Sequence, residues 1–272
     1  MIPLTRETHI RRALAEHLAA SCPPELGATI AITGSTARGL ADASSDLEMN
    51  YWGETIPPVE ARVAWLRDAG VEAIQVFPEP RPDDSYWIGG ILDGVELEIG
   101  CQTVAALEGE LAQLLSAQVT DPRRLALAEL IVTAVPMRDE ARVREWQTRL
   151  AQFPPELRAH FRDRLAERLN DDAHWQSLRS LAARGEYLAL TRGIADDLEM
   201  ALDAAYAHAR QWMPSPKWKI TRAEILPGVA GDAYEQIAHI FYTLAAAPKT
   251  GIKIAHGFMQ SILDEQTPFE TV

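Results

Sequence analysis

The sequence predicts an α+β protein, in which a mixed β-sheet with flanking helices is followed by a bundle of α-helices. Two observations carry this prediction. Short apolar, β-branched runs separated by turn residues dominate the N-terminal part of the chain. After residue 103 the apolar residues recur at helical spacing, and few β-branched runs remain. We therefore expect a sheet domain over residues 1–125 and a helical domain over residues 126–272.

Local patterns place the elements of the sheet domain. Apolar residues spaced by four predict a helix over residues 5–20, which ends before two prolines. The dipeptide Asp93-Gly94 favours a hairpin turn between strands at residues 86–92 and 95–101. The other elements expected here are strands at residues 28–33, 46–52 and 71–77, a helix at residues 57–69 and a Pro-rich loop at residues 78–84.

The second half of the chain shows helical periodicity almost throughout. We expect the boundary between the two domains to fall between residues 118 and 138. The expected helical segments are residues 104–117, 122–134, 140–152, 155–169 and 173–210.

The negative charge is concentrated in the first half of the chain. Of the 272 residues, residues 1–135 hold 20 acidic side chains against nine arginines and no lysine, a balance of −11. Residues 136–272 hold 19 acidic against 17 basic side chains, a balance of −2. An acidic half repels a polyphosphate backbone, so long nucleic acid is not an expected partner. It suits a divalent metal or a cationic small molecule, although an acidic surface also serves solubility alone.

The expected location is the cytoplasm. The N-terminus lacks the apolar segment of a secretory signal, and no apolar run reaches the roughly 18 residues of a membrane span. Cys22 and Cys101 are far apart in the sequence and match no metal-ligand spacing. We expect both to be reduced thiols. We expect no membrane partner, and a monomer or homodimer.

The segment from Gly34 to Glu48 carries the clearest chemistry. A predicted strand ends in Gly34-Ser35, where backbone amides and a hydroxyl can hold a phosphate and a short helix can begin. Asp46 and Glu48 then lie two residues apart on the next strand, so both carboxylates point to one face and Leu47 points to the core. Two carboxylates held this close favour a cation between them, and hard oxygen ligands suit Mg²⁺.

A third carboxylate is expected from a later strand. Glu96 and Glu98 alternate with Val95, Leu97 and Ile99, so both acids share one face. Either acid can accept the proton of an attacking hydroxyl or complete a metal site with Asp46 and Glu48. The alternation alone leaves the choice between them open.

The stretch GSTARGLADASSDLEM resembles the motif of the polymerase-beta-like nucleotidyltransferase superfamily. The likeness is closest to the small-molecule branch, the aminoglycoside- and lincosamide-type enzymes of antibiotic resistance, which pair a catalytic domain with a helical domain. By this resemblance Glu98, within Leu97-Glu98-Ile99, is favoured as the third acid, and ATP with Mg²⁺ is the expected co-substrate. Glu48 stands where the family more often has aspartate.

Further candidates surround this motif. The resemblance implies that Lys217, in a Pro-Ser-Pro-Lys-Trp-Lys stretch, neutralises the triphosphate; a surface loop is the alternative. Arg38 can reach phosphate or pair with Asp42. Ser45 can orient the Asp46 carboxylate or only start the strand. Two tryptophans of the sheet domain, Trp52 and Trp87, can border a ligand, but core packing is favoured for each.

Together these features predict an enzyme that transfers a nucleoside monophosphate, AMP from ATP, to a hydroxyl of a small acceptor and releases pyrophosphate. The charge and the resemblance favour a cationic acceptor such as an aminoglycoside, held in a cleft that the helical domain completes. Three alternatives remain open: a transferase acting on a protein or an RNA end, a nucleotide-binding regulatory protein with weak catalysis, and a helical interaction module.

Overall fold

The computed structural model describes residues 4–77, 85–223, 226, 229 and 233–266, and the loop expected at residues 78–84 lies outside these ranges. The strands are β1 (Thr29–Ile32), β2 (Leu47–Gly53), β3 (Glu72–Phe77), β4 (Tyr86–Leu92), β5 (Val95–Thr103) and β6 (Val135–Arg138). The helices are α1 (Arg6–Ser21), α2 (Gly34–Arg38), α3 (Val59–Asp68), α4 (Val104–Leu115), α5 (Pro122–Thr133), α6 (Glu140–Leu150), α7 (Pro155–Leu169), α8 (Asp172–Arg184), α9 (Tyr187–His208), α10 (Lys219–Ala223), α11 (Ala233–Ala246) and α12 (Pro248–Gln266).

The strands form one mixed sheet of order β3-β4-β5-β2-β1-β6, in which β2 and β5 run parallel and the other neighbours antiparallel. Helices make up the C-terminal half, so the predicted α+β class is confirmed. The hairpin at Asp93-Gly94 joins β4 to β5, and both turn residues have positive φ angles, as a tight two-residue turn requires.

One face of the sheet is covered by the core and the other carries polar groups. Leu47, Met49 and Tyr51 of β2 point into the core that α1 and α3 help to form. Glu48 and Asn50 alternate with them and are half-buried on the opposite face. The alternation of β2 therefore decides which side of the sheet holds the acids.

The sixth strand was not expected from the sequence. β6 is short, contains Pro136 and lies at the sheet edge, where a missing backbone donor is tolerated. Its last residue, Arg138, donates hydrogen bonds to the carbonyls of Ala19, Cys22 and Gly27. Four residues that include a proline are too few to show a periodic pattern in the sequence. The strand forms because it pairs with β1, which is distant in the chain.

The chain divides into two compact units. The first comprises residues 1–116 and 130–152, and the second comprises residues 117–129 and 153–272. This division is interleaved, whereas the sequence suggested one boundary at residue 125. The difference arises because β6 and α6 pack on β1 and therefore join the first unit.

The second unit is helical. The segment expected as helical over residues 173–210 is two helices, because Gly185 adopts a left-handed conformation and ends α8. The buried carboxylate of Asp197 on α9 binds Arg168 of α7 and His174 of α8, which ties three helices together. Within the described ranges, no helix is both long and apolar enough to cross a membrane.

Candidate active site

Glu48 and Glu98 lie side by side on the polar face of the sheet. Because β2 and β5 are parallel, Glu48 is the direct partner of Glu98 in the ladder. Neighbouring strands are about 4.8 Å apart, so two such side chains on one face must meet or share a cation. Both carboxylates are half-buried.

Asp46 joins them from the turn that precedes β2. In that turn Asp42 accepts hydrogen bonds from the Ser44 amide (2.8 Å) and the Ser45 hydroxyl (3.0 Å). These hydrogen bonds lower the pKa of Asp42, and the bond from the Ser45 hydroxyl has the largest effect. The buried guanidinium of Arg11 on α1 donates to the Ser45 carbonyl from Nε at 2.9 Å. The residue just before Asp46 is therefore fixed to the body of the first unit.

The three carboxylates form one group that could hold a metal ion. Asp46, Glu48 and Glu98 each offer an oxygen within 4.8 Å of the other two. Each ligand oxygen lies about 2.1 Å from Mg²⁺, so two oxygens that bind the same ion are at most about 4.2 Å from each other. The donor set is entirely carboxylate oxygen, which is the type that Mg²⁺ prefers. Among the residues that the structure describes, no other group of His, Cys, Asp and Glu converges in this way.

Glu96 does not belong to this group, although the sequence placed it among the metal ligands. The parallel ladder begins at Leu47 and Leu97, so Glu96 lies beyond the paired part of β2, where it is exposed. It faces Ile91 of β4 instead. The register thus separates two acids that the alternation could not distinguish.

Gly34 lies directly against the acid group. Its φ angle is +64°, and a β-carbon built on it would stand 1.5 Å from Oε2 of Glu48. The backbone is tied in the same place, because the Thr33 amide donates to the Glu48 carbonyl at 3.0 Å. Ser35 and Thr36, in the short helix α2, are buried beside it. The glycine therefore makes the room that the longer arm of Glu48 needs.

Asn50 is a site residue that sequence reasoning missed. It follows Glu48 by two positions on β2, so it shares the polar face, and its amide donates to the Thr33 hydroxyl at 2.9 Å. Its Oδ1 lies over Gly100, where a β-carbon would come within 2.7 Å. The period of the strand is the signal that could have found Asn50.

The remaining candidates fall in different places. Arg38 is half-buried at the last residue of α2. The Ser45 hydroxyl is bonded within the turn to Asp42, as donor to the side chain and acceptor from the amide. Lys217 is exposed in a short 3-10 helix, Pro216–Trp218, of the second unit. Its neighbour Lys219 is buried, with Nζ 2.7 Å from Oδ1 of Asp203. The phosphate role of Lys217 stays a prediction.

The two tryptophans of the first unit differ. Trp52 is buried and packs edge-on against Trp146, with ring centroids 5.2 Å apart, so it belongs to the core. Trp87 is half-buried, donates to the Ser85 hydroxyl at 2.9 Å and pairs with Gly100 in the sheet. It therefore lies on the polar face with Glu98 and Asn50.

A cavity of about 400 Å³ adjoins the acid group on the same face. Glu98 belongs to both the acid group and the wall of this cavity. The lining is drawn wholly from the first unit: Ala73, Gln75, Phe77, Gly89, Gly90, Ile91, Gly94, Glu96, Leu97 and Glu98.

Comparison with known proteins gives little beyond the geometry. No family model and no curated protein matches the chain. One similar solved structure is a nucleotidyltransferase-like protein from Exiguobacterium sibiricum 255-15, which is 16% identical and has a TM-score of 0.41. The match covers 95% of this chain and 75% of that one. At this level of likeness no functional argument rests on it.

Proposed function

We propose that this protein is a metal-dependent nucleotidyltransferase that moves a nucleoside monophosphate, AMP from ATP, to a hydroxyl of a small acceptor and releases pyrophosphate. The observation that carries the proposal is the convergence of Asp46, Glu48 and Glu98 beside Gly34. Three carboxylates next to the glycine that begins α2 fit the binding of a metal together with a phosphate chain.

Each residue has a distinct part in this reaction. Asp46 and Glu48 hold Mg²⁺, which supplies neutralising charge to the triphosphate when bound. Gly34 and Ser35 contact the phosphates through the backbone and the hydroxyl. Arg38 is the arginine nearest to Gly34 in the sequence and would also contact the phosphates. Ser45 positions Asp46 through its backbone. Lys217 would neutralise the triphosphate, as the family resemblance implies.

Glu98 is the proposed base because, of the three carboxylates of the acid group, it is the one that also lines the cavity. An acceptor hydroxyl in the cavity gives its proton to Glu98 while its oxygen bonds to the α-phosphorus. The bond between the α-phosphorus and the oxygen that bridges it to the β-phosphorus breaks. Pyrophosphate leaves with the electron pair of that bond. Proton transfer to a positioned carboxylate lowers the barrier for a weakly acidic hydroxyl.

The acceptor class is a further part of the proposal. The −11 balance of residues 1–135 favours a cationic small molecule over a polynucleotide, and an aminoglycoside is the example to test first. If every aminoglycoside fails to stimulate pyrophosphate release, this acceptor class is excluded. Mass spectrometry of lysate proteins incubated with the enzyme and ATP would then reveal a protein acceptor by an added AMP.

The central test is pyrophosphate release from ATP and Mg²⁺ over an acceptor panel. We expect Asp46→Asn to abolish turnover and leave the fold intact. The matched control is Asp93→Asn at the exposed β4–β5 turn, where asparagine suits the positive φ angle. Turnover by Asp46→Asn equal to that of the control would refute the metal assignment. Calorimetric binding of Mg²⁺-ATP without turnover would instead favour a regulatory nucleotide-binding protein.

A further inference from the structure

The edge of the sheet beside Glu98 is distorted. The register of β3 with β4 shifts between Glu72 and Gln75, and Ala73 within that shift has a φ angle of +48°. Positive φ is uncommon for a residue that carries a β-carbon, and bulges of this kind occur next to binding sites. Ala73, in the bulge, and Gln75 and Phe77, which follow it, line the 400 Å³ cavity.

Gly89 of β4 forms the floor opposite the bulge, because it lies on the same face of the sheet as its partner Glu98. A β-carbon on the next residue, Gly90, would point to the opposite face, where it would lie 2.4 Å from Cγ1 of the core residue Val71 and 2.8 Å from the carbonyl oxygen of Glu72. A β-carbon on Gly89 would lie 2.7 Å from the carbonyl oxygen of Leu97. The close approach of the Leu97 backbone excludes a side chain at Gly89, so the polar face of the sheet is bare here and a shallow pocket results.

The groups around this pocket define its chemistry. Among the residues that the structure describes, its wall holds two carboxylates, from Glu96 and Glu98, and the amide of Gln75, with no Lys, Arg or His. Phe77 and Ile91 are 45% and 42% exposed, so they present apolar surface at the rim. The volume lies within the range of about 300 to 1,000 Å³ that is usual for small-molecule sites. One side of the pocket is therefore acidic, at Glu96 and Glu98, and its rim is apolar, at Phe77 and Ile91.

We propose that this pocket is the acceptor site, and that it selects a ring-bearing small molecule with a protonated amine and a hydroxyl. The hydroxyl reaches Glu98, the amine pairs with Glu96, and the ring lies on the backbone at Gly89 between Phe77 and Ile91. The inference rests on the proposed function for the role of Glu98. It adds that Glu96 and Phe77 determine specificity, and that the acceptor contacts sit within the first unit.

The test compares three phenols of one size that differ in charge. Tyramine carries an amine, 4-ethylphenol is neutral, and 4-hydroxyphenylacetate carries a carboxylate. Saturation-transfer NMR with the full chain, without nucleotide, measures their binding. We expect tyramine to bind tightest and the anion weakest, with about five-fold between charged and neutral probes, which is the factor for roughly 1 kcal/mol at a partly exposed charge pair.

Two variants locate the binding. Glu96→Gln should remove the preference for tyramine over 4-ethylphenol, whereas Phe77→Ser should weaken all three probes. Glu72→Gln is the matched control, since it removes the same charge from the same edge of the sheet but does not line the pocket. Failure of tyramine to bind, equal binding of all probes, or an equal effect of Glu72→Gln would overturn the inference.

The inference and the proposed function fail separately. Tyramine binding that depends on Glu96, without pyrophosphate release from ATP and Mg²⁺ for any acceptor, would leave the pocket standing and refute the transferase. Pyrophosphate release with an acceptor whose affinity is unchanged by Glu96→Gln and Phe77→Ser would support the transferase and refute this pocket.

Discussion

The carboxylate of Glu48 occupies the space where a β-carbon of Gly34 would stand, 1.5 Å from that atom's position. The two residues are far apart in sequence, and a backbone bond from Thr33 to Glu48 holds them together. The glycine that begins α2 is therefore needed for its lack of a side chain as well as for its φ angle of +64°.

Gly34→Ala should lose Mg²⁺-dependent ATP binding, because the new methyl group displaces the Glu48 carboxylate. The control is Gly94→Ala, which has a φ angle of +77° and no atom within 4 Å of its added carbon. Both variants should lose about 1 to 2 kcal/mol for the left-handed backbone, measured by urea unfolding. Calorimetry should show lost binding only in Gly34→Ala. Equal binding by both would mean that Glu48 is no ligand.

Arg11→Met should weaken Mg²⁺-dependent ATP binding by releasing the turn that carries Asp46. The guanidinium is buried and donates to the Ser45 carbonyl, and a hydrogen bond from a charged donor contributes about 1.5 to 3 kcal/mol. Arg6→Met, on the exposed side of the same helix, is the control. A titration with ATP and Mg²⁺ checks this, and unchanged affinity in Arg11→Met would contradict it.

Asp197→Asn should lower the free energy of unfolding by about 3 kcal/mol. The side chain is fully buried between Arg168 and His174, whose Nε2 lies 2.8 Å from Oδ2, so a neutral amide leaves the guanidinium without its counter-charge. Asp196→Asn, at the exposed neighbouring position, should cost less than about 0.5 kcal/mol. Urea unfolding of both variants gives the comparison, and similar midpoints would rule out a stabilising role.

The contribution of Asp203 to the stability of the protein should fall as the pH rises from about 4 to about 6. Burial raises the pKa of this carboxyl from 3.8 to about 6, while the Lys219 ammonium nearby opposes the rise. The folded state then holds its proton more tightly than the unfolded chain, so stability present at low pH is lost across this window.

Asp203→Asn lacks this titration and isolates its effect. The difference in free energy of unfolding between the protein and the variant should fall by about 2 to 3 kcal/mol between pH 4 and pH 6. Urea unfolding at half-unit pH steps measures it. Parallel pH profiles of the two proteins would show that Asp203 does not titrate there.

Local patterns alone were sufficient for several features. The β4–β5 hairpin followed from Asp93-Gly94, and the closeness of the Asp46 and Glu48 carboxylates followed from their two-residue spacing, although Asp46 lies in the turn just before β2. Both depend on neighbours in sequence, where backbone conformation is set by the residue types themselves.

Features that depend on distant pairing were not accessible in this way. The parallel register of β2 and β5 places Glu98, and not Glu96, beside Glu48. The alternation of residues in the sequence cannot distinguish the two acids, because residues i and i+2 lie on the same face of a strand. The strand β6 and the interleaving of the two units arise in the same manner, from contact with β1.

The sequence by itself determined the α+β class, the strand that leads into Gly34-Ser35 and the closely spaced pair Asp46 and Glu48, because each rests on local period and residue type. Only the tertiary structure decided that Glu98 completes the acid group, that Gly34 makes room for Glu48, and that a bulge at Ala73 opens a pocket beside them. These relationships join residues distant in the chain, so they exist only once the strands have paired.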